Sequence, residues 1–201
     1  KTFNMGTSAQ TPVQTQLLLE KHVEQLHPKV IVYEVYPLMF TIDGLESALE
    51  ITSTRKTDMK LLKMAFLLNH IKLYNTLIFA YYRQLFNMEK NFTERPLNPV
   101  KIKNDDTYIP GGFVEKELKY NPYKPSCYPK GIKWIPEDYQ INAFEESVKF
   151  IKERNIKLIL VRAPITTYEY QTYSDNEKIN HYFYSVATYF NFNAMMNLSD
   201  S

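Results

Sequence analysis

The chain has 201 residues, enough for one domain with a full hydrophobic core and short for two. With 44% hydrophobic and 23% charged residues it has the composition of a globular protein, although 16 Tyr and 12 Phe against 5 Gly make it unusually aromatic. A net charge of +2 is too small to indicate a nucleic-acid partner. The single Cys127 excludes an intramolecular disulfide and a multi-cysteine zinc site.

The sequence contains no signal for insertion into a membrane. No apolar run approaches the roughly 18 residues that span a bilayer, and the first residues lack the basic, apolar and small-residue order of a signal peptide. The chain starts inside what reads as a strand and stops at Leu198–Ser201 without a closing element. We therefore expect both ends to be incomplete, so that targeting segments could lie outside this chain.

The first forty residues predict a strand, a helix and a second strand. Phe3–Met5 reads as the end of a short strand, and after a turn Thr11 caps a helix that has Pro12 at its first position. Pro28 stops this helix. The apolar run Val30–Tyr36 that follows predicts a strand buried on both faces, as in a parallel sheet. This order is a βαβ unit, whose crossover should be right-handed.

Ligands of open α/β sheets bind beyond the carboxyl ends of the strands, which directs attention to Glu34 and Tyr36. Burial would raise the pKa of the Glu34 carboxyl unless a cation such as Arg162 lay beside it. Three interpretations stay open for Glu34. A side chain turned to solvent is favoured, a structural Glu34–Arg162 pair comes second, and a catalytic carboxylate comes third.

An insertion is predicted at about 43–134. Gly44–Ile51 reads as a short helix, and Asp58–Phe86 as one long helix with an apolar stripe. We expect this stripe to pack against the domain or a partner helix, in preference to a membrane surface, because it lacks a flanking cationic face. The sequence does not reveal the purpose of the long helix.

The segment Asn87–Trp134 has no sustained period, which is uncommon for a connection of this length. Within it, Lys116–Trp134 alternates lysines with aromatic residues. A solvated loop whose rings pack onto the domain is the favoured interpretation. A sugar-type ligand comes second, and nucleic acid third.

The last third alternates helices and strands. Pro136–Asn155 predicts a helix, Ile156–Ala163 a second buried strand, Asp175–Phe190 a helix, and Phe192–Met196 a final short strand. Together with the first βαβ unit, this order predicts a doubly wound α/β sheet. We expect residues 1–201 to form a single domain of this class.

Few recognised patterns of chemistry occur in the chain. It has no glycine-rich phosphate loop and no His-x-x-x-His or Cys-x-x-Cys pair, so neither a nucleotide cofactor nor a metal is predicted. The four histidines are most simply read as exposed or structural, because none has an adjacent Ser or Asp that would mark a triad. On the residues alone the chain is an α/β domain of unstated activity.

The stretch Asn4-Met-Gly-Thr-Ser-Ala-Gln-Thr11 resembles the second conserved block of the SGNH (GDSL-like) hydrolase superfamily, which commonly reads Asn-x-x-x-Ser-Gly-x-Thr. The strand Val30–Tyr36 falls where the third block follows. The closing Asn197–Ser201 is similar to the lead-in that divergent bacterial members show before an Asp-x-x-His block. The resemblance implies a flavodoxin-like, three-layer doubly wound sheet with a helical and irregular insertion.

Several family features are missing from this chain. The Gly-Asp-Ser block with its serine nucleophile would precede Lys1, and the Asp-x-x-His block with the base would follow Ser201, so no catalytic residue is assigned here. Ala9 stands where the family usually has the glycine whose N–H stabilises the oxyanion. The Asn of the third block is absent around Tyr36–Leu38, which leaves Gln10 or Tyr36 as substitute donors. The oxyanion and pocket candidates are Ser8, Ala9, Gln10, Tyr36, Glu34 and Arg162.

The activity that the resemblance implies is that of a serine esterase or acyltransferase acting on a small acyl ester, for example on an envelope carbohydrate, without a cofactor. We expect the 201-residue chain alone to be inactive. The alternative is a non-catalytic glycan-binding or envelope-assembly module on the same fold, and a flavodoxin-like binding domain of unrelated descent is third. The cell envelope or periplasm is the expected location, and the oligomeric state stays open. The turn Thr7–Gln10 and the strand end Tyr36–Leu38 should face one another across one cleft.

Overall fold

The computed structural model describes residues 2–86, 88, 100–103, 106–116 and 129–195. In this part of the chain, seven α-helices accompany two three-stranded sheets, one parallel and one antiparallel. The protein is therefore of the mixed α/β class. Cys127, most of the lysine and aromatic segment before residue 129, and the closing residues 196–201 lie outside the described part.

The α-helices are α1 Pro12–Leu26, α2 Leu45–Thr54, α3 Met59–Leu68, α4 Ile71–Leu85, α5 Asp138–Glu153, α6 Thr167–Tyr170 and α7 Asn176–Val186. The strands are β1 Val30–Glu34, β2 Val100–Lys103, β3 Asp106–Ile109, β4 Phe113–Lys116, β5 Lys157–Arg162 and β6 Thr188–Asn191. Two short 3-10 helices, Pro37–Phe40 and Phe192–Ala194, follow β1 and β6.

The parallel sheet has the strand order β1-β5-β6. Glu34 pairs with Val161, and Arg162 pairs with Asn191. Because all three strands run in the same direction, their carboxyl ends share one edge of the sheet. The two 3-10 helices and α6 follow the strands at that edge.

Helices α1, α5 and α7 cover one face of this sheet. The core between them is rich in aromatic rings: Phe144 makes edge contacts with Tyr33 and Phe40 at centroid distances of 5.4 Å, and Phe183 lies 5.8 Å from Phe144. Leu160 on the central strand is fully buried beneath them. Edge-to-face packing of this kind stabilises a core beyond the area that it buries.

The other face of the parallel sheet is open. The side chains of Val30, Val32 and Phe190 point to it and are 45%, 64% and 41% exposed. The prediction that Val30–Tyr36 is buried on both faces is therefore wrong for one face, since alternate residues of a strand point to opposite sides. Within the described residues, the helices that pack on this sheet lie on its other, covered face.

The segment before α1 does not form the predicted strand at Phe3–Met5. The backbone N–H of Asn4 instead donates to the Gly111 carbonyl at 2.7 Å, in the turn between β3 and β4, and the Asn4 amide donates to the Gly112 carbonyl at 3.2 Å. A Cβ atom at Gly112 would lie 2.4 Å from the Asn4 carbonyl oxygen. The antiparallel sheet thus holds this segment by a contact that only glycine permits.

The predicted single helix Asp58–Phe86 is two helices. Asn69 closes α3 in the left-handed conformation at φ 45°, and His70 caps α4 by accepting a bond from the Lys72 N–H at 3.2 Å. Asparagine tolerates this conformation better than most residues, so it can end a helix without glycine. The inner faces of both helices pack against α1 and α2.

The predicted helix at Gly44–Ile51 is present as α2. The interval 87–134 was predicted to be irregular, but its described part contains the antiparallel sheet β2-β3-β4. Near the end of the described part, α7 stops at Val186, and the strand lies at Thr188–Asn191. The predicted strand Phe192–Met196 is wrong because Phe192–Ala194 is a 3-10 helix.

Candidate functional site

The segment that follows β1 is held by the N-terminal ends of two helices. At the start of α5, the side-chain amide of Gln140 donates to the Ile42 carbonyl at 2.8 Å. The side-chain oxygen of Gln140 accepts from the Val13 N–H of α1 at 3.2 Å. The Glu137 N–H donates to the Phe40 carbonyl at 2.9 Å. The starts of α1 and α5 therefore lie at the carboxyl edge of the parallel sheet, where the sequence predicts the site.

The turn Thr7–Gln10, just before α1, is closed by its own side chains. The side-chain oxygen of Gln10 accepts from the Thr7 N–H at 2.9 Å, and the side-chain amide of Gln10 donates to the Thr15 hydroxyl at 2.8 Å. The Thr7 hydroxyl contacts the Ser47 hydroxyl of α2 at 2.5 Å. Gln10 thus has a structural role in shaping the turn, which competes with its predicted use as an oxyanion donor.

Ala9 occupies a left-handed backbone conformation at φ 50°, and Ser8 beside it is exposed. The left-handed conformation costs a residue with a Cβ atom roughly 1–2 kcal/mol, whereas glycine adopts it freely. The backbone at position 9 is thus of the kind that favours glycine, the residue usual there in the SGNH pattern. Backbone outliers of this kind occur often at functional sites.

Arg162 ends β5 at the same edge and is 1% exposed. None of its three guanidinium nitrogens makes a hydrogen bond of acceptable geometry. Its charge is accommodated by aromatic rings: the guanidinium carbon lies 4.6 Å from the centroid of Tyr170. Burial raises the pKa of Tyr189 to about 12, with the neighbouring Arg162 charge opposing that rise. Among the residues that the structure describes, no carboxylate forms an ion pair with Arg162, and a buried cation of this kind is costly because water no longer solvates it.

A network of amides and phenols surrounds this guanidinium. The Tyr189 hydroxyl donates to the side-chain oxygen of Asn180 at 2.8 Å, and the side-chain amide of Asn191 donates to the same oxygen at 3.1 Å. Asn191 also donates to the Tyr170 hydroxyl at 3.3 Å. The network is neutral, so it orients the rings around Arg162 without balancing its charge.

Glu34 and Arg162 do not form the pair that was one of the interpretations of Glu34. Glu34 is level with Val161 in the sheet, so its side chain lies on the open face, while Arg162 points to the covered face. The carboxylate is exposed, in keeping with the favoured interpretation. Tyr36, half-buried just beyond β1, donates from its hydroxyl to the Glu169 carboxylate at 2.5 Å.

No family model, curated protein or solved structure matches this chain. The site must therefore be interpreted from its own geometry and chemistry.

The end of the Lys116–Trp134 segment packs into the core of the protein. Trp134 is 6% exposed, and its indole N–H donates to the Pro37 carbonyl at 3.0 Å. The indole is thus part of the core and is not presented to a sugar. The lysines and tyrosines between residues 117 and 128 lie outside the described residues.

The histidines of the described part do not complete a nucleophile–base pair. The His22 ring contacts the Arg55 guanidinium, and partial burial together with the Arg55 charge lowers its pKa. His70 is the cap of α4, His27 ends α1, and His181 is exposed. Across residues 2–86 and the later described segments, no group of three or more potential metal ligands is found. The same residues contain no helix with the length and apolar character of a membrane span.

Sequence reasoning named Arg162 and Tyr36 but missed the groups around them. Asn191 was missed because the last strand was predicted four residues too late, and Asn180 and Tyr170 lie on α7 and α6, away from the predicted strand ends. The turn Thr7–Gln10 makes polar contacts with Thr15 and Ser47. A shared cleft between the turn and the strand end Tyr36–Leu38 stays a prediction.

Proposed function

We propose that the chain contributes the oxyanion turn and the sheet of an SGNH-like serine esterase or acyltransferase that acts on a small acyl ester of an envelope carbohydrate. The observation that carries the proposal is the backbone of Ala9, which has the glycine-like conformation at the position where the sequence pattern places the oxyanion glycine. On this proposal the described residues supply the oxyanion donor and not the nucleophile–base pair.

The supporting geometry lies at the carboxyl edge of the parallel sheet. The turn Thr7–Gln10 opens α1, whose start is fastened to the residues that follow β1. The backbone N–H groups of Thr11 and Val13 at this helix start donate to the side chains of Gln14 and Gln140, so the proposal assigns the oxyanion to the N–H of Ala9 in the preceding turn. The proposal extends to the finer architecture, a doubly wound flavodoxin-like sheet in which a second layer covers Val30, Val32 and Phe190.

The test is fluorophosphonate labelling of the intact protein, followed by turnover of p-nitrophenyl acetate. We expect one serine to be labelled, acetate ester to block the labelling, and the 201-residue chain alone to be inactive. Replacing the Ala9 amide by an ester removes the N–H and should lower kcat by about 10²–10³-fold. Ala9→Gly keeps the N–H and is the matched control, with activity retained.

Two results would overturn the proposal. One is a folded intact protein that neither labels nor hydrolyses the ester, which would favour a non-catalytic module. The other is saturable turnover by the 201-residue chain alone, which would place the nucleophile among residues that the proposal does not use. If Ala9→Gly, which keeps the N–H, lost as much activity as the amide-to-ester variant, the loss would not be due to the N–H of position 9.

A further inference from the structure

The two helices α3 and α4 form a hairpin, residues 59–86, that has two very different faces. Its inner face is closed: Leu61, Ala65 and Leu73 are completely buried. Its outer face carries ten large apolar side chains, each more than half exposed: Met59, Phe66, Leu67, Ile71, Ile78, Phe79, Tyr81, Tyr82, Leu85 and Phe86. Soluble monomers rarely expose a contiguous apolar surface of this extent without a function for it.

The charges of the hairpin are all positive. Residues 59–86 contain Lys60, Lys63, Lys72 and Arg83 but no Asp or Glu. Lys60 pairs with Glu20 at 3.0 Å, and Arg83 donates to the Ser53 carbonyl. The remaining two lysines are exposed among the apolar side chains. Lys63, for example, precedes Phe66 and Leu67 by three and four residues, so the three share one helix face.

We propose that the outer face of the hairpin binds the surface of an anionic lipid bilayer, with both helices lying in the plane of the interface. The combination of exposed aliphatic and aromatic side chains with lysines and without carboxylates is that of an interfacial helix. Tyrosine side chains such as Tyr81 and Tyr82 favour the headgroup level, where the ring is buried and the hydroxyl stays wet. The helices of 10 and 15 residues are too short to cross the bilayer.

The sequence alone favoured packing of this stripe against another protein element, because no cationic face was apparent. The structure changes that balance, since Lys63 and Lys72 lie on the exposed surface with the apolar side chains. A second copy that covered this face would take Lys63 and Lys72 out of water, and the hairpin has no acidic residue to pair them. An anionic surface compensates the same charges.

A groove on the hairpin gives acyl chains a concave contact. It has a volume of about 430 Å³ and is lined by Thr57, Leu62, Leu77, Ile78, Tyr81 and Tyr82. Three of these side chains, Ile78, Tyr81 and Tyr82, also belong to the exposed outer face. The groove and the outer face therefore form one continuous apolar surface.

The experiment is co-sedimentation of the full chain with vesicles of phosphatidylcholine containing phosphatidylglycerol, compared with vesicles of phosphatidylcholine alone. Binding to the anionic vesicles should be stronger and should weaken as salt is added, because salt screens the lysines. Lys63→Gln and Lys72→Gln should each weaken binding about fivefold. The double variant Ile78→Ser, Phe79→Ser should abolish it, whereas Ile135→Ser, at a residue 75% exposed outside the hairpin, should bind as the parent does.

A fluorescence measurement supports the sedimentation and does not depend on a loss of binding. Phe79→Trp places an indole on the outer face, and Trp134, the only native tryptophan, stays buried. Anionic vesicles should shift the emission of the new indole to the blue. No shift and no sedimentation would overturn the proposal. Concentration-dependent dimers that Ile78→Ser, Phe79→Ser dissociates, without any vesicle binding, would also overturn it and assign the face to a second copy.

Discussion

Helix α1 is shared by two hydrophobic cores that are built from different residues. The core between α1, α5, α7 and the parallel sheet, called here the sheet core, is aromatic, with Phe40, Trp134, Phe144, Phe183 and Tyr189. The core between α1, α2, α3 and α4, called here the helical core, is aliphatic, with Leu17, Leu18, Ile51, Leu61 and Leu73. The same helix therefore contributes side chains to an aromatic core and to an aliphatic core.

The two cores also differ in how they treat buried polar groups. In and around the helical core, the hydroxyls of Ser47, Thr52 and Ser147 all form hydrogen bonds. The sheet core instead encloses Arg162, whose guanidinium nitrogens make none. Local rules of stability are broken most often at functional sites. Among the described residues, the buried unpaired atoms beside the helical core are the Thr57 hydroxyl and the Arg83 Nε, whereas Arg162 at the carboxyl edge of the sheet leaves all three guanidinium nitrogens unpaired. The larger cost in stability therefore lies at the carboxyl edge of the sheet.

The largest expected effect comes from truncating one side chain in each core. Phe144→Ala removes a fully buried ring from the sheet core and should lower the free energy of unfolding by about 3–5 kcal/mol. Leu73→Ala in the helical core should lower it by about 2–5 kcal/mol. Chemical denaturation followed by far-UV and near-UV circular dichroism measures both.

Because α1 belongs to both cores, each variant should shift one common transition. Phe190→Ala, on the open face of the sheet, is the matched control for Phe144→Ala and should change the free energy of unfolding far less. Two separate transitions in Leu73→Ala would show that the helical core unfolds independently.

Replacement of Arg162 should sharpen the contrast between the cores. Arg162→Met removes a buried charge that forms no ion pair with a described carboxylate and should raise the free energy of unfolding by about 1–4 kcal/mol, measured by thermal and urea denaturation. Arg83→Met, on α4 beside the helical core, is the matched substitution. It removes the bond to the Ser53 carbonyl and should lower stability by about 1 kcal/mol. Destabilisation by both substitutions would show that Arg162 has a stabilising partner.

The smallest expected effect is the pH dependence of the contact between α1 and the end of α2. Burial and the charge of Arg55 lower the pKa of His22. As pH falls, the unfolded chain therefore binds a proton at His22 before the folded protein does, at about pH 6.5. The contribution of His22 to stability is fully present above that pH and declines below it.

Urea denaturation at a series of pH values measures this decline. His22→Gln should make the profile shallower in the interval below about pH 6.5. His181→Gln, at an exposed side chain, is the control for loss of a histidine elsewhere in the chain. Equal profiles for His22→Gln and the parent would remove the linkage between this histidine and folding.

Elements with a long apolar run between clear boundaries could be predicted from the sequence. The run Ile156–Ala163 is bounded by Asn155 and Pro164, and β5 lies at Lys157–Arg162. The break at Asn69 could not be recognised, because the apolar spacing of α3 continues into α4 with little change of phase. Asparagine next to His70 was the available signal for a left-handed helix end.

The site was predicted less completely, since it depends on register. Arg162 was named, but a partner for it could not be chosen without knowing that Glu34 is level with Val161. That register puts the two side chains on opposite faces of the sheet. Asn191 was missed because Tyr189 and Phe190 suit a helix as well as a strand, which moved the predicted strand past its true position.

Gly44 has a consequence for how relatives of this chain can be recognised. Its φ is 67°, and a Cβ atom there would lie 2.5 Å from the side-chain oxygen of Gln14 and 2.6 Å from the Thr11 methyl group. A side chain at position 44 would require a strained backbone and a shift of the Thr11 and Gln14 side chains, so glycine is favoured wherever these two side chains keep their places. The combination of Thr11, Gln14 and Gly44 therefore forms a sequence signature, usable where overall similarity has been lost.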